Sequence, residues 1–222
     1  MITDERMRTY IRSLDSGNTP FLEDLYRKAK KDGVPVIRRD TQNFLKTILK
    51  LKKPKNILEV GTAVGFSTLL ICEYGPKDLH ITTIENYEKR IAAAKENFGA
   101  SGYEDRITLI EADAGEALKE LTGPYDMIFM DAAKGQYIHW LDDVTRLLAP
   151  SGIMLSDNVL QEGDIIESRY LVERRNRTIH KRMREYLTEL THSPCLTTSI
   201  LCVGDGLSIS VKEDETGWCS RP

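Results

Sequence analysis

No C-x-x-C pair joins the four cysteines, Cys72, Cys195, Cys202 and Cys219, and no H-E-x-x-H joins the four histidines. A structural zinc knuckle and a zinc-protease helix are therefore excluded by spacing, and the thiols read as reduced. No stretch is apolar for long enough to cross a bilayer, and Met-Ile-Thr-Asp-Glu-Arg carries charge where a secretory leader would place its apolar core. A cytoplasmic protein with no membrane partner is expected. Repeats and low-complexity segments are absent, and a formal net charge of -3 argues against indiscriminate binding of polyanions. What is present, 41% hydrophobic and 29% charged residues over 222 positions, is the composition of one globular domain spanning residues 1–222.

Within that domain the hydrophobic period changes once. Residues 1–52 form a helical cap, with Leu22, Leu25, Tyr26 and Ala29, then Phe44, Leu45, Ile48 and Leu49 at helical spacing, interrupted at Gly33 and Pro35. From Asn56 short apolar runs alternate with amphipathic stretches. The runs 57–60, 80–84, 107–110, 125–130 and 152–156 predict strands, and 67–73, 87–98, 114–121 and 136–148 predict the helices between them. Repeated β-α units imply an α/β, doubly wound, mostly parallel sheet with helices on both faces. A long basic helix is expected over 168–190, then strands at 196–203 and 207–211 and a polar tail at 212–222.

The first run enters Glu59-Val60-Gly61-Thr62-Ala63-Val64-Gly65-Phe66-Ser67, at the strand end where such sheets place ligands. Glycine at 61 and 65 would let backbone approach a ligand. A dinucleotide fingerprint would also need glycine at 63 and 66, which are Ala63 and Phe66. The second run ends at Glu85, placed to accept both hydroxyls of a ribose, and the third at Asp113, which could bond an adenine amino group, cap the next helix, or do both. A glycine loop followed by two acids on successive strand ends resembles the cofactor side of class I S-adenosylmethionine-dependent methyltransferases. That resemblance implies Gly61 against the methionine moiety, Ser67 on its carboxylate, Glu85 on the ribose, and Asp113 with Ala114 beside the adenine. Glu59 and Gly65 of the same loop join the expected cofactor set.

The fourth run ends in Asp131-Ala132-Ala133-Lys134-Gly135-Gln136-Tyr137 and the fifth in Ser156-Asp157-Asn158-Val159-Leu160. Adjacent strand ends could present Asp131, Asp157 and Asn158 to one point, an oxygen-only set suited to Mg2+, Ca2+ or Mn2+, with Mg2+ preferred. Read singly, Asp131 could be a helix cap and Asp157-Asn158 a turn. Lys134, three residues after Asp131, could take a proton from an acceptor hydroxyl or stabilise its oxyanion, with a pKa depressed by burial and a nearby cation. A solvated surface lysine is the alternative.

Together these motifs resemble the cation-dependent O-methyltransferases that include the caffeoyl-CoA and catechol enzymes. The resemblance runs from Gly33-Val34-Pro35-Val36 to Val203-Gly204-Asp205-Gly206-Leu207. It implies metal ligation by Asp131, Asp157 and Asn158, cofactor contacts from Val36 and Asp131, and a homodimer. Plant members usually read D-A-D-K where this chain has Ala133, which puts hydroxycinnamoyl-CoA chemistry in doubt. Arg169, Arg174, Arg175, Arg177, Lys181, Arg182 and Arg184 crowd the expected basic helix. They read as a solvated face or, with Arg38 and Arg39, as a phosphate-binding surface for RNA. The motifs look most like the bacterial branch that methylates 5-hydroxyuridine in the tRNA wobble position, with Tyr137, Trp140 and Tyr170 as candidate base-stacking partners, although core packing is the favoured role for at least Trp140. The competing expectations are a small catechol-like or hydroxycinnamoyl-CoA substrate, and a non-catalytic RNA-binding module.

Overall fold

Alternate residues of each apolar run go to opposite faces of one sheet, and the two faces carry different helices. A computed structural model describes residues 5–168 and 170–214. Arg169, Cys219 and most of the expected tail lie outside the described residues. Among these residues are the strands β1 (Asn56–Val60), β2 (His80–Glu85), β3 (Ile107–Glu111), β4 (Tyr125–Met130), β5 (Leu148–Asp157), β6 (Leu196–Leu201) and β7 (Leu207–Lys212). Their order is β3-β2-β1-β4-β5-β7-β6, with β7 antiparallel to both of its neighbours. The expected α/β sheet is thus observed.

The helices are α1 (Glu5–Ser13), α2 (Pro20–Lys31), α3 (Arg39–Lys52), α4 (Phe66–Tyr74), α5 (Glu88–Ser101), α6 (Ala114–Glu120), α7 (Tyr137–Leu147) and α8 (Arg177–His192). Leu58, Val60, Ile128, Met130 and Met154 pack with Leu118, Val144, Met183 and Leu190 of α6 to α8. Their strand neighbours Ile57, Met127, Phe129, Ile153 and Leu155 pack on the other face with Leu69, Ala94 and Phe98 of α4 and α5. Period two in the strands makes this division unavoidable.

Helix α4 explains the N-terminal cap. Seven consecutive residues, Phe66 to Cys72, are buried, so this helix is apolar all round and needs cover on its outer side as well as from the sheet. Leu22 and Leu25 of α2 and Leu45 and Leu49 of α3 provide it, all in the same core as Leu69 and Leu70. Each such side chain removed from water contributes about 1.5–3 kcal/mol.

The expected helix over 168–190 starts only at Arg177. Gln161–Ile166 and Arg174–Asn176 are short 3-10 turns, with Glu162 (φ 56) and Gly163 (φ 103) left-handed and Glu173 extended. Burial dictates this winding: Ile165 and Val172 are 7% and 4% exposed, while Ile166, Tyr170 and Leu171 stand 75% or more in solvent. Arg174 and Arg175 therefore belong to a turn. Among the described residues no helix is long and apolar enough to cross a membrane.

Candidate active site

Chain order reverses between β1 and β4, which leaves a crevice at their carboxyl ends. A cleft of about 650 Å³ opens there, lined on the cofactor side by Gly61, Ala63, Glu85, Asp113 and Ala114, and on the other by Asp131 to Lys134 and Asn158. Such a volume suits a small-molecule ligand. Pro35, Asn86, Arg90, Gln136 and Trp140 also line the cleft, and of these the sequence had given a role only to Trp140.

On the cofactor side the backbone does the positioning. Glu85 Oε2 accepts the Ala63 N–H at 2.9 Å, and Oε1 accepts the N–H groups of Asn86 and Tyr87 at 3.1 Å each. The carboxylate is buried and fixed, with lone pairs on both oxygens left for a diol. Asp113 caps α6 by accepting the Gly115 N–H at 2.8 Å, as one of its expected roles requires, and also lines the cleft.

The two glycines have a different cause from the one expected. At Gly61 (φ +105) an added Cβ would lie 2.2 Å from the backbone oxygen of Asp131, so glycine here lets β1 and β4 close on each other. At Gly65 (φ +83) it would strike Phe98 of α5 at 2.4 Å. Gly65 does not line the cleft, nor do Val36, Glu59 and Ser67. Val36 packs half-buried beside the core of the cap, and Pro35 takes its place on the wall. Glu59 is fully buried and accepts the hydroxyls of Thr68 and Thr83, the latter at 2.6 Å. Burial pushes its pKa up to about 7 despite hydrogen bonds from Ser67, Thr68 and Thr83. Its Oε1 has no partner among the described residues.

On the other side charge does the positioning. Lys134 Nζ donates to Asp131 Oδ1 at 2.6 Å and to Tyr137 Oη at 3.1 Å. Tyr137 is fully buried, accepts the Ala132 N–H at 3.1 Å and donates to the Met130 carbonyl at 2.9 Å. It is a strut for the Asp131 loop, not a stacking surface, and Tyr170 is 84% exposed. Burial acts to lower the pKa of Lys134, but Tyr137 and Asp131 outweigh it and hold the ammonium above the ordinary lysine range.

Asp157 is 2% exposed, and burial, with the Asp131 charge, pushes its pKa up to about 7. Its Oδ1 accepts the Asn158 N–H at 2.9 Å and the Thr41 hydroxyl at 3.4 Å. Asn158, left-handed at φ 59, gives its Nδ2 to Asp205 Oδ2 at 3.1 Å. Two mutually repelling carboxylates and a free amide oxygen fit a hard cation better than they fit each other. Among the described residues no three His, Cys, Asp or Glu side chains converge, so the Asn158 amide and non-protein oxygens would have to complete the shell.

The arginines expected on a phosphate surface are mostly engaged inward. Arg39 pairs with both Glu23 oxygens and stacks 4.3 Å over the Tyr26 ring, tying α3 to α2. Arg38 pairs with Asp205 at 2.7 Å and Glu162 at 2.5 Å. Arg177 caps the carbonyls of Val172 and Tyr170, Arg182 that of Gly135, and Arg184 that of Ile165. Arg175 pairs with Glu173, and Arg174 is exposed.

A cleft at the switch point, a glycine turn on β1 and a fixed acid on β2 define a class I methyltransferase fold. The O-methyltransferase family model matches residues 12–213, and the chain belongs to that family. Over 128 residues it is 33% identical to the catechol O-methyltransferase of Niastella koreensis, covering 56% of this chain and 58% of that one. Over 188 residues it is 28% identical to tapetum-specific methyltransferase 1 of Arabidopsis thaliana, covering 83% and 79%. A Staphylococcus aureus structure, provisionally described as a caffeoyl-CoA O-methyltransferase, superposes with a TM-score of 0.86 at 34% identity, covering 94% and 100%. The SAH-bound methyltransferase PaMTH1 of Podospora anserina does so with 0.84 at 28%, covering 94% of each chain. The protein is an S-adenosylmethionine-dependent O-methyltransferase of the caffeoyl-CoA and catechol type.

Proposed function

We propose that this enzyme methylates a small aromatic acceptor bearing neighbouring hydroxyls, with a divalent cation held by Asp131, Asp157 and Asn158. One observation carries the choice of acceptor: of the arginines that would have gripped a polynucleotide, Arg38, Arg39, Arg175, Arg177 and Arg182 are engaged by Glu162 and Asp205, Glu23, Glu173 and backbone carbonyls. Beside Lys134, Gly135 lies against the exposed Ile179, an apolar edge suited to a ring. Methyl transfer is an in-line displacement in which the acceptor oxygen bonds the methyl carbon and the sulfonium keeps the electron pair of the broken C–S bond. A cation at this site supplies a lowered pKa for the acceptor hydroxyl. Glu85 and Asp113 hold the cofactor's nucleoside end. Lys134, held by Asp131 at 2.6 Å, is placed to take the acceptor hydroxyl's proton or to stabilise the developing oxyanion.

Methylation of 5-hydroxyuridine in the tRNA wobble position is the second reading, favoured by the exposed Arg174 and Tyr170 in the segment ahead of α8. A purely RNA-binding module would have no use for the cleft or for Asp157. Labelled methyl transfer is compared across catechol, a hydroxycinnamoyl-CoA thioester and tRNA carrying 5-hydroxyuridine. Transfer to catechol and not to the tRNA is expected, and the opposite pattern overturns the proposal.

A further inference from the structure

The turn Val203-Gly204-Asp205-Gly206-Leu207 takes no part in the chemistry above, yet its carboxylate is only 12% exposed and joins a candidate cation ligand to a residue from the far end of the sequence. We infer that Asp205 and Arg38 are positioning residues that fix the orientation of the Asn158 amide, presenting its carbonyl oxygen to the cation site. This rests on the cation reading of Asp131, Asp157 and Asn158.

A carboxamide has two nearly isosteric ends, and only the oxygen can ligate a hard cation. Something must choose between them. Asp205 makes the choice: its Oδ2 accepts the Asn158 Nδ2–H at 3.1 Å, which leaves the amide oxygen free. Its other oxygen, Oδ1, is held by Arg38 Nη2 at 2.7 Å, and the same guanidinium nitrogen reaches Glu162 Oε1 at 2.5 Å. Arg38 thus holds the Asp205 carboxyl in place.

The backbone supports the same arrangement. Val159 and Leu160 donate their N–H groups to the carbonyls of Gly206 and Asp205, each at 3.0 Å, so the turn grips the segment that carries Asn158. Gly204, at φ +58, lets that turn approach α3, where an added Cβ would lie 2.5 Å from Thr41 Oγ1. Thr41 in turn faces Asp157 Oδ1 at 3.4 Å. Three distant segments therefore converge behind two candidate ligands. Outer groups of this kind typically change metal affinity roughly 10- to 100-fold when removed.

The test is Mn2+ binding to the full chain, followed by paramagnetic resonance of the free ion, with S-adenosylhomocysteine affinity measured in parallel. Asp205→Asn offers Asn158 either a donor or an acceptor, and Arg38→Met removes the charge while leaving Asp205 in place. Both are expected to weaken Mn2+ binding roughly 10- to 100-fold with unchanged homocysteine-cofactor affinity. Arg38→Lys is expected to recover part of the loss. Glu162→Gln is expected to act weakly, because that carboxylate is 73% exposed. Mn2+ binding by wild type that is unaltered in Asp205→Asn and Arg38→Met overturns the inference alone. Wild type that takes up no Mn2+ overturns the cation reading and this inference with it.

Discussion

The two halves of the cleft hold their carboxylates by different means. Glu85 and Asp113 are fixed by N–H groups within a few residues of them or in the glycine turn. Asp131, Asp157 and Asn158 have one backbone donor between them, the Asn158 N–H on Asp157, and otherwise rely on side chains that are themselves charged or buried: Lys134, Tyr137, Thr41 and Asp205. Backbone donors need no particular side chain, so the cofactor half depends on chain path. The cation half depends on several separate residues, each of which can be broken alone.

The chain path is the more fragile element. Gly61→Ala is expected to cost about 2–5 kcal/mol, from the strained φ and the clash with Asp131, and to abolish transfer. Urea denaturation with activity assays checks it, and a fully stable, active variant would show that β1 and β4 need not close there. Asp157→Ala probes the charge-held half. It is expected to reduce methyl transfer on the order of 10³-fold, leaving S-adenosylhomocysteine binding intact in calorimetry. Glu85→Ala should do the reverse, weakening cofactor binding roughly 10- to 100-fold, as loss of charged hydrogen bonds worth about 1.5–3 kcal/mol would. If each variant lowered both quantities equally, the division into halves would fail.

A smaller effect concerns Arg39, which the sequence placed with RNA. Its hydrogen bond to Glu23 holds that carboxyl at about 2, below its ordinary 4.5. The stabilisation is present above pH 4.5 and is lost as pH falls toward 2. Arg39→Ala is expected to cost about 1 kcal/mol at neutral pH and to leave any tRNA binding unchanged. The smallest effect is at Glu59, raised from 4.5 to about 7. Here the folded state binds the extra proton, so stability declines as pH rises from 4.5 through 7. Glu59→Gln should flatten that part of a thermal-unfolding pH profile, and an unchanged slope would mean the carboxyl is ionised throughout.

These contrasts also explain what could be read in advance. The strand runs, the glycine turn and the strand-end acids were legible because period-two burial and local turns leave their mark within ten residues or so of sequence. Lys134 was placed beside Asp131, where the structure has it, but the Tyr137 hydroxyl that also holds it was not foreseen, because that residue was read as a stacking ring. The pairing of the arginines was not legible either. A count of positive charge does not show that Glu162 and Asp205, far along the chain, consume Arg38. The helix expected from 168 begins at 177 because Ile165 and Val172 must reach the core.

The most direct test of the central claim is methyl transfer from labelled S-adenosylmethionine to catechol by metal-stripped protein, with and without added Mg2+, beside Asp157→Ala. The cation-dependent account expects no transfer until Mg2+ is restored, and none in the variant at either setting. Full activity of the stripped wild-type enzyme in the presence of chelator would contradict it.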